Sequence, residues 1–218
     1  MNSSVIQLLV LAGIAVFLIL KLRSVLGTRE GFERPPVAAD DPRLVTRRLT
    51  DATASLTDPD ITDNTTDPAA TAALTAMKSA EPTFNLTEFL KGARGAYEMI
   101  LMAFDKGDLP RIKPFLGDDV ASTFATAISD REAQGLTVVS TFSGIREMSL
   151  AEATYDPATK SAEIAVRFTG ELSRTVRDKS GTVVEGGPTA IIRQRDIWTF
   201  GRKMGTGDPN WQLVATGD

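Results

Sequence analysis

The chain contains no cysteine and no histidine among its 218 residues. Without cysteine there are no disulfides, no thiolate nucleophile and no thiolate metal ligand. Without histidine the commonest general base and the commonest zinc ligand are gone. Together these absences weigh against an enzyme. No cofactor and no metal is expected. Aromatic residues make up 6% of the chain, and the formal net charge is −4. An acidic balance argues against non-specific nucleic-acid binding as the main role.

What the sequence has in abundance lies at its start. Val5 to Leu22 is apolar apart from Gln7 and Lys21. As a helix of about 18 residues it rises roughly 27 Å, close to the ~30 Å hydrocarbon core of a bilayer. Such a helix satisfies its own backbone polar groups. Residues 1–26 therefore predict a single transmembrane anchor. The competing reading is a cleaved leader. Against it, Met1–Ser4 lacks a basic residue, and the apolar run leads into Lys21-Leu22-Arg23-Ser24, not into a small-residue cleavage site. Lys21, Arg23 and Arg29 flank the run on its C-terminal side. The positive-inside rule then puts the N-terminus outside and the bulk of the chain in the cytoplasm of a cell with an inner membrane.

Residues 27–82 are rich in Thr, Asp, Ala and Pro, with Phe32 the one aromatic residue. That composition predicts a flexible linker. Its arginines, beginning at Arg29, could rest on anionic lipid or simply hold topology.

A folded domain is predicted over 83–218. Asn85 with Glu88 has the spacing of an N-cap and its partner, and Gly107 stops the helix that follows. Phe89, Ala93, Tyr97, Ile100 and Phe104 recur along it at helical spacing. The apolar arc is broad, which implies burial on two sides or a face turned to something greasy. Asp108 reads as the cap of a short helix, and Asp118 or Asp119 as the cap of another. After Gly135 the period changes from helical to two. Strands are expected over 144–154, over 161–177 with Ile164, Val166 and Phe168 on one face, over 183–200 with an interruption at Gly186-Gly187-Pro188, and over 211–215. The fold class is α+β, with helices packed on one face of a curved antiparallel sheet. Phe89, Ala93, Tyr97, Ile100, Phe104, Phe168, Trp198 and Trp211 are the candidates to line an apolar pocket between them. Lys91 and Arg94, near the start of the long helix, join Lys21, Arg23 and Arg29 as candidates to meet lipid headgroups.

The segments Phe89-Leu90-Lys91-Gly92-Ala93-Arg94, Ala103-Phe104-Asp105-Lys106-Gly107-Asp108, Arg131-Glu132, Val166-Arg167-Phe168, Asp196-Ile197-Trp198-Thr199-Phe200-Gly201-Arg202 and Asp208 to Thr216 occur in this order. As an ordered set they resemble the C-terminal domain of the mitochondrial inner-membrane translocase subunit 44 family, in a bacterial, membrane-anchored form. The resemblance implies a cone of the nuclear-transport-factor-two-like type with a large apolar pocket. It also implies contact with cardiolipin-like anionic lipid, and no catalytic group. Gly186-Gly187-Pro188 departs from the family's Gly-Asp-Pro, and Gly201 stands where Ala is usual. The function expected is a membrane-anchored, non-catalytic binding or scaffold protein that docks a membrane-protein or translocase partner, anionic lipid or an apolar peptide. A structural or assembly subunit of a larger inner-membrane complex is the alternative. An enzyme built in the same cone would have to rely on Tyr97, Tyr155 or Asp196.

Overall fold

The computed structural model describes residues 58–217. The apolar run at 5–22, with Lys21, Arg23 and Arg29, lies outside them. Among the described residues no helix is long and apolar enough to cross a membrane.

The first finding corrects a boundary. Residues 58–82, expected to extend the linker, hold two helices, α1 (Pro59–Thr62) and α2 (Pro68–Ala80). Both follow an Asp-Pro pair. Asp58 and Asp67 accept hydrogen bonds from first-turn amides, and Pro59 and Pro68 occupy positions where no donor is needed. Ala70, Leu74 and Met77 then recur on one face of α2 and are buried in the main core. An Ala- and Thr-rich composition hides this short stripe.

The long helix α3 (Leu86–Lys106) is capped by Asn85, whose Oδ1 accepts from the Glu88 amide at 2.8 Å. It ends at Gly107, which takes the left-handed conformation at φ 76°. A four-residue helix α4 (Leu109–Ile112) and a 3-10 turn (Lys113–Phe115) lead into α5 (Asp118–Ala133). Asp108 makes no side-chain cap here. The N-cap of α5 is Gly117, and Asp118 and Asp119 lie in the first turn, where their charge favours the helix dipole instead.

The sheet is a meander in the order β1-β2-β3-β4, antiparallel throughout. Its strands are β1 (Thr137–Asp156), β2 (Ser161–Arg177), β3 (Val183–Lys203) and β4 (Gln212–Gly217). β1 begins seven residues before the expected 144. Three register shifts along β1, after Phe142, Ile145 and Leu150, supply the extra residues that curve the sheet. The interruption expected at Gly186 is a bulge. Pairing jumps from Ile191↔Ser173 to Gly186↔Thr175. Gly186 sits at φ 69°, and a Cβ there would fall 2.0 Å from the Arg174 carbonyl oxygen, so only glycine fits.

α3 packs its inner face against the curved sheet. Tyr97 stacks on Phe168, with centroids 4.4 Å apart and planes at 14°, and also meets Trp198 and Phe142. Gly170 makes room for it: a Cβ at 170 would lie 3.0 Å from the Tyr97 hydroxyl and 3.1 Å from its ring. Gly170→Ala is therefore expected to destabilise the fold by about 1–3 kcal/mol through overpacking, read as a lower urea midpoint with an unchanged slope.

Candidate docking groove

Among the described residues the outer face of α3 is left open. Asn85, Glu88, Phe89, Gly92, Ala93, Gly95, Ala96 and Met99 form one wall of a 670 Å³ groove. The other wall comes from three places: Phe84 before the helix, Phe115 in the 3-10 turn, and Phe200, Arg202 and Trp211 at the β3–β4 end of the sheet. Trp211 ties these together, with its ring 4.8 Å from that of Phe89 and 5.9 Å from that of Phe84. A second hollow of 290 Å³ continues the first. Both share Gly95 and Met99, and the second runs on past Met102 to Lys106, Asp108 and Arg111. The result is a trough along most of α3, apolar in the middle and charged at its ends.

One end is built around Arg202. Its guanidinium lies 5.0 Å over the Trp211 ring and donates to Glu81 Oε1 at 2.7 Å. Glu81 Oε2 also accepts from the Gly205 amide at 2.9 Å. That backbone bond lowers the Glu81 pKa, against the opposing effect of burial and with help from the Arg202 ion pair. Glu81 thus stays ionised. The Arg202 side chain is 5% exposed, and its Nε has no hydrogen-bond partner among the described residues.

Gly92 and Gly95 are the least expected residues in the trough. Each sits within α3, is exposed, and would meet nothing within 4 Å among the described residues if it carried a Cβ. Glycine in a helix interior costs about 1 kcal/mol relative to alanine, and no contact among the described residues requires it here. Gly92→Ala and Gly95→Ala are each expected to stabilise the isolated fold by about 0.5–1 kcal/mol, measured as a raised unfolding midpoint.

Of the eight residues expected to line a pocket, three do so: Phe89, Ala93 and Trp211. Tyr97, Ile100, Phe168 and Trp198 are instead closed into the core between α3 and the sheet, at 0–4% exposure. The cause is the breadth of the apolar arc on α3: the sheet covers its inner half. Phe104 turns away from the groove and packs on Phe124 at 4.5 Å, with Arg131 over its ring. Lys91 and Arg94 are exposed on α3 beside the groove, and Lys91 makes only a long 3.7 Å pair with Glu88. Phe84, Met99, Phe115, Phe200, Arg202 and the two glycines were not among the expected lining residues. The glycines carried the readable signal, because a strong helical pattern runs through them unbroken.

Among the described residues the nearest thing to an acid–base pair is Tyr97 with Asp196. The Tyr97 hydroxyl donates to Asp196 Oδ2 at 2.5 Å, and Gln194 donates to the other carboxylate oxygen. Burial, then the bond to Asp196, holds the Tyr97 pKa well above its ordinary value. Tyr97 is fully buried and neither residue borders the groove, so the pair is a strut of the core.

The Tim44-like domain family matches residues 70–218. The chain belongs to the Tim44-like domain family. The match begins inside α2, which agrees with the earlier domain start. The human mitochondrial import inner membrane translocase subunit TIM44 is 26% identical over 144 residues, covering 65% of this chain and 31% of the human protein. The chain thus spans about a third of that relative's length. The solved intermembrane-space region of the chloroplast protein ARC6 is similar at a TM-score of 0.42 and 10% identity, over 59% of this chain and 94% of that one. A likeness at that level carries no argument about function. In Tim44-like terms, the trough lies on the outer side of the domain's longest helix, and the aromatic core lies on its inner side.

Proposed function

We propose that this chain is a non-catalytic docking protein held at an inner membrane, whose Tim44-like domain offers the α3 trough to an apolar segment of a translocase or another membrane complex. The observation that carries the reading is the trough itself. It is an apolar groove of 670 Å³ with aromatic walls, and neither Tyr97 nor Asp196 borders it. Grooves of this size and lining are where proteins hold ligands and peptides. Membership of a family that includes a mitochondrial translocase subunit supports a scaffold or binding role.

The apolar run at 5–22 supplies the tether in this reading, and Lys21, Arg23 and Arg29 set its orientation, with the domain on the cytoplasmic side of a bacterial inner membrane. The same cations, with Lys91 and Arg94, would rest on anionic, cardiolipin-like headgroups. The cone form of the sheet belongs to the same reading.

The test uses this chain made by cell-free synthesis with 5-hydroxytryptophan at both tryptophan positions and inserted into native membranes, where red-edge excitation separates its fluorescence from that of other proteins. Trp198 is buried at 4% exposure and Trp211 borders the groove, so acrylamide reports on Trp211 alone. In native membranes the occupied trough shields Trp211. After detergent extraction and dilution the quenching rises severalfold. Equal quenching in both states would overturn the reading.

A further inference from the structure

We infer that the segment docked in the trough is the α3 helix of a second copy of this chain, packed antiparallel about a twofold axis. The inference rests on reading the trough as a docking site and names its occupant.

The outward row of α3 reads Glu88, Gly92, Gly95, Met99, Met102, Lys106. It is self-complementary. When two such helices run antiparallel with the axis at the level of residue 97, Glu88 stands opposite Lys106, Gly92 opposite Met102, and Gly95 opposite Met99. Each methionine meets a glycine, a flexible knob over a hole, and each pairing occurs twice, as an isologous contact demands. Opposite charges meet at both ends. Glu88 is 70% exposed, and among the described residues its carboxylate has only the 3.7 Å contact with Lys91. A parallel pair has no such match, because Glu88 would face Glu88 and methionine would face methionine.

One further observation asks for an outside partner. Among the described residues nothing approaches within 4 Å of a Cβ placed on Gly92 or Gly95, yet both positions are glycine, as close helix-on-helix approach requires.

The native chain has no cysteine, so single cysteines report contacts cleanly. Differently tagged full-length chains are mixed in membrane vesicles and oxidised. Gly95→Cys should link to Met99→Cys, and Glu88→Cys to Lys106→Cys, while Glu88→Cys should not link to itself, since the two ends of the row lie roughly 27 Å apart. Gly92→Leu with Gly95→Leu points both side chains into open space in the monomer. It should keep the thermal unfolding midpoint or raise it, while abolishing the Glu88→Cys to Lys106→Cys link. At low salt, Glu88→Lys or Lys106→Glu alone should reduce the Gly95→Cys to Met99→Cys link about fivefold, and the double exchange should restore it. Self-linking at Glu88→Cys, or no link in any mixture, would overturn the inference. If no link forms while Trp211 stays shielded in membranes, the trough holds a different partner and only the dimer falls. If Trp211 is unshielded as well, both readings fall.

Discussion

Tyr97→Ala should lower the unfolding free energy of the domain by about 3–5 kcal/mol, the range for deleting a large buried ring. The ring is fully buried and joins three other aromatics from β1, β2 and β3. It is the point where α3 is fastened to the sheet, so its loss opens a cavity between the two layers. Tyr97→Phe keeps the ring and removes only the hydroxyl. Asp196 then keeps the Gln194 donor but loses the 2.5 Å bond, at a cost of about 1–2 kcal/mol. Urea unfolding followed by far-UV circular dichroism separates the two variants. Equal midpoints for Tyr97→Ala and the parent would show that the helix is held elsewhere.

Asp60→Ala should cost about 3 kcal/mol, since it strips hydrogen-bonded donors from an ionised acceptor. Asp60 lies on α1 but caps α3. Its carboxylate accepts from the Leu86 amide at 2.7 Å, and from the Thr87 amide and hydroxyl at 2.8 and 2.7 Å. Lys78 on α2 closes the cluster, 2.7 Å from Asp60 and 2.6 Å from Asp58. Burial raises the Asp60 pKa. Lys78, the Thr87 hydroxyl and the two amides outweigh burial and bring the value from 3.8 down to about 2. The folded-state pKa is thus below the unfolded one. The stabilisation is complete above about pH 4 and is lost as the pH falls towards 2, and it is worth about 2 kcal/mol at neutral pH. In Asp60→Asn that acid limb should flatten. An unchanged acid limb in the variant would place the acid sensitivity on other carboxylates.

The sequence was readable where one signal dominates. α3 begins at a capping asparagine and ends at a glycine, and both act as their chemistry requires. In β2 the period of two named Ile164, Val166 and Phe168 as a buried face, and the structure buries Ala165 and Thr169 on the opposite face as well. Two other features were obscured. α1 and α2 sit in a stretch whose bulk composition is that of a linker, and only the repeated Asp-Pro start and the spacing of Ala70, Leu74 and Met77 betray them. The groove was obscured for a different reason. An apolar arc wide enough to be covered on one side and open on the other looks the same in the sequence at every position. Tyr97 and Phe89 both belong to that arc, and only the placement of the sheet closes one in and leaves the other beside open space. Phe115 and Trp211 reach the groove from segments far away in the chain, and no local periodicity connects them to Gly92.

The most direct test of the trough as the working surface is a photoreactive side chain at position 99 of the full-length chain, irradiated in its native membrane. Met99 lies where the two hollows join. The account predicts a discrete polypeptide adduct that disappears when Gly92→Leu and Gly95→Leu fill the trough, and that is absent when the probe is moved to the exposed Glu163 on β2. The same adducts from positions 99 and 163, or none from 99, would contradict it.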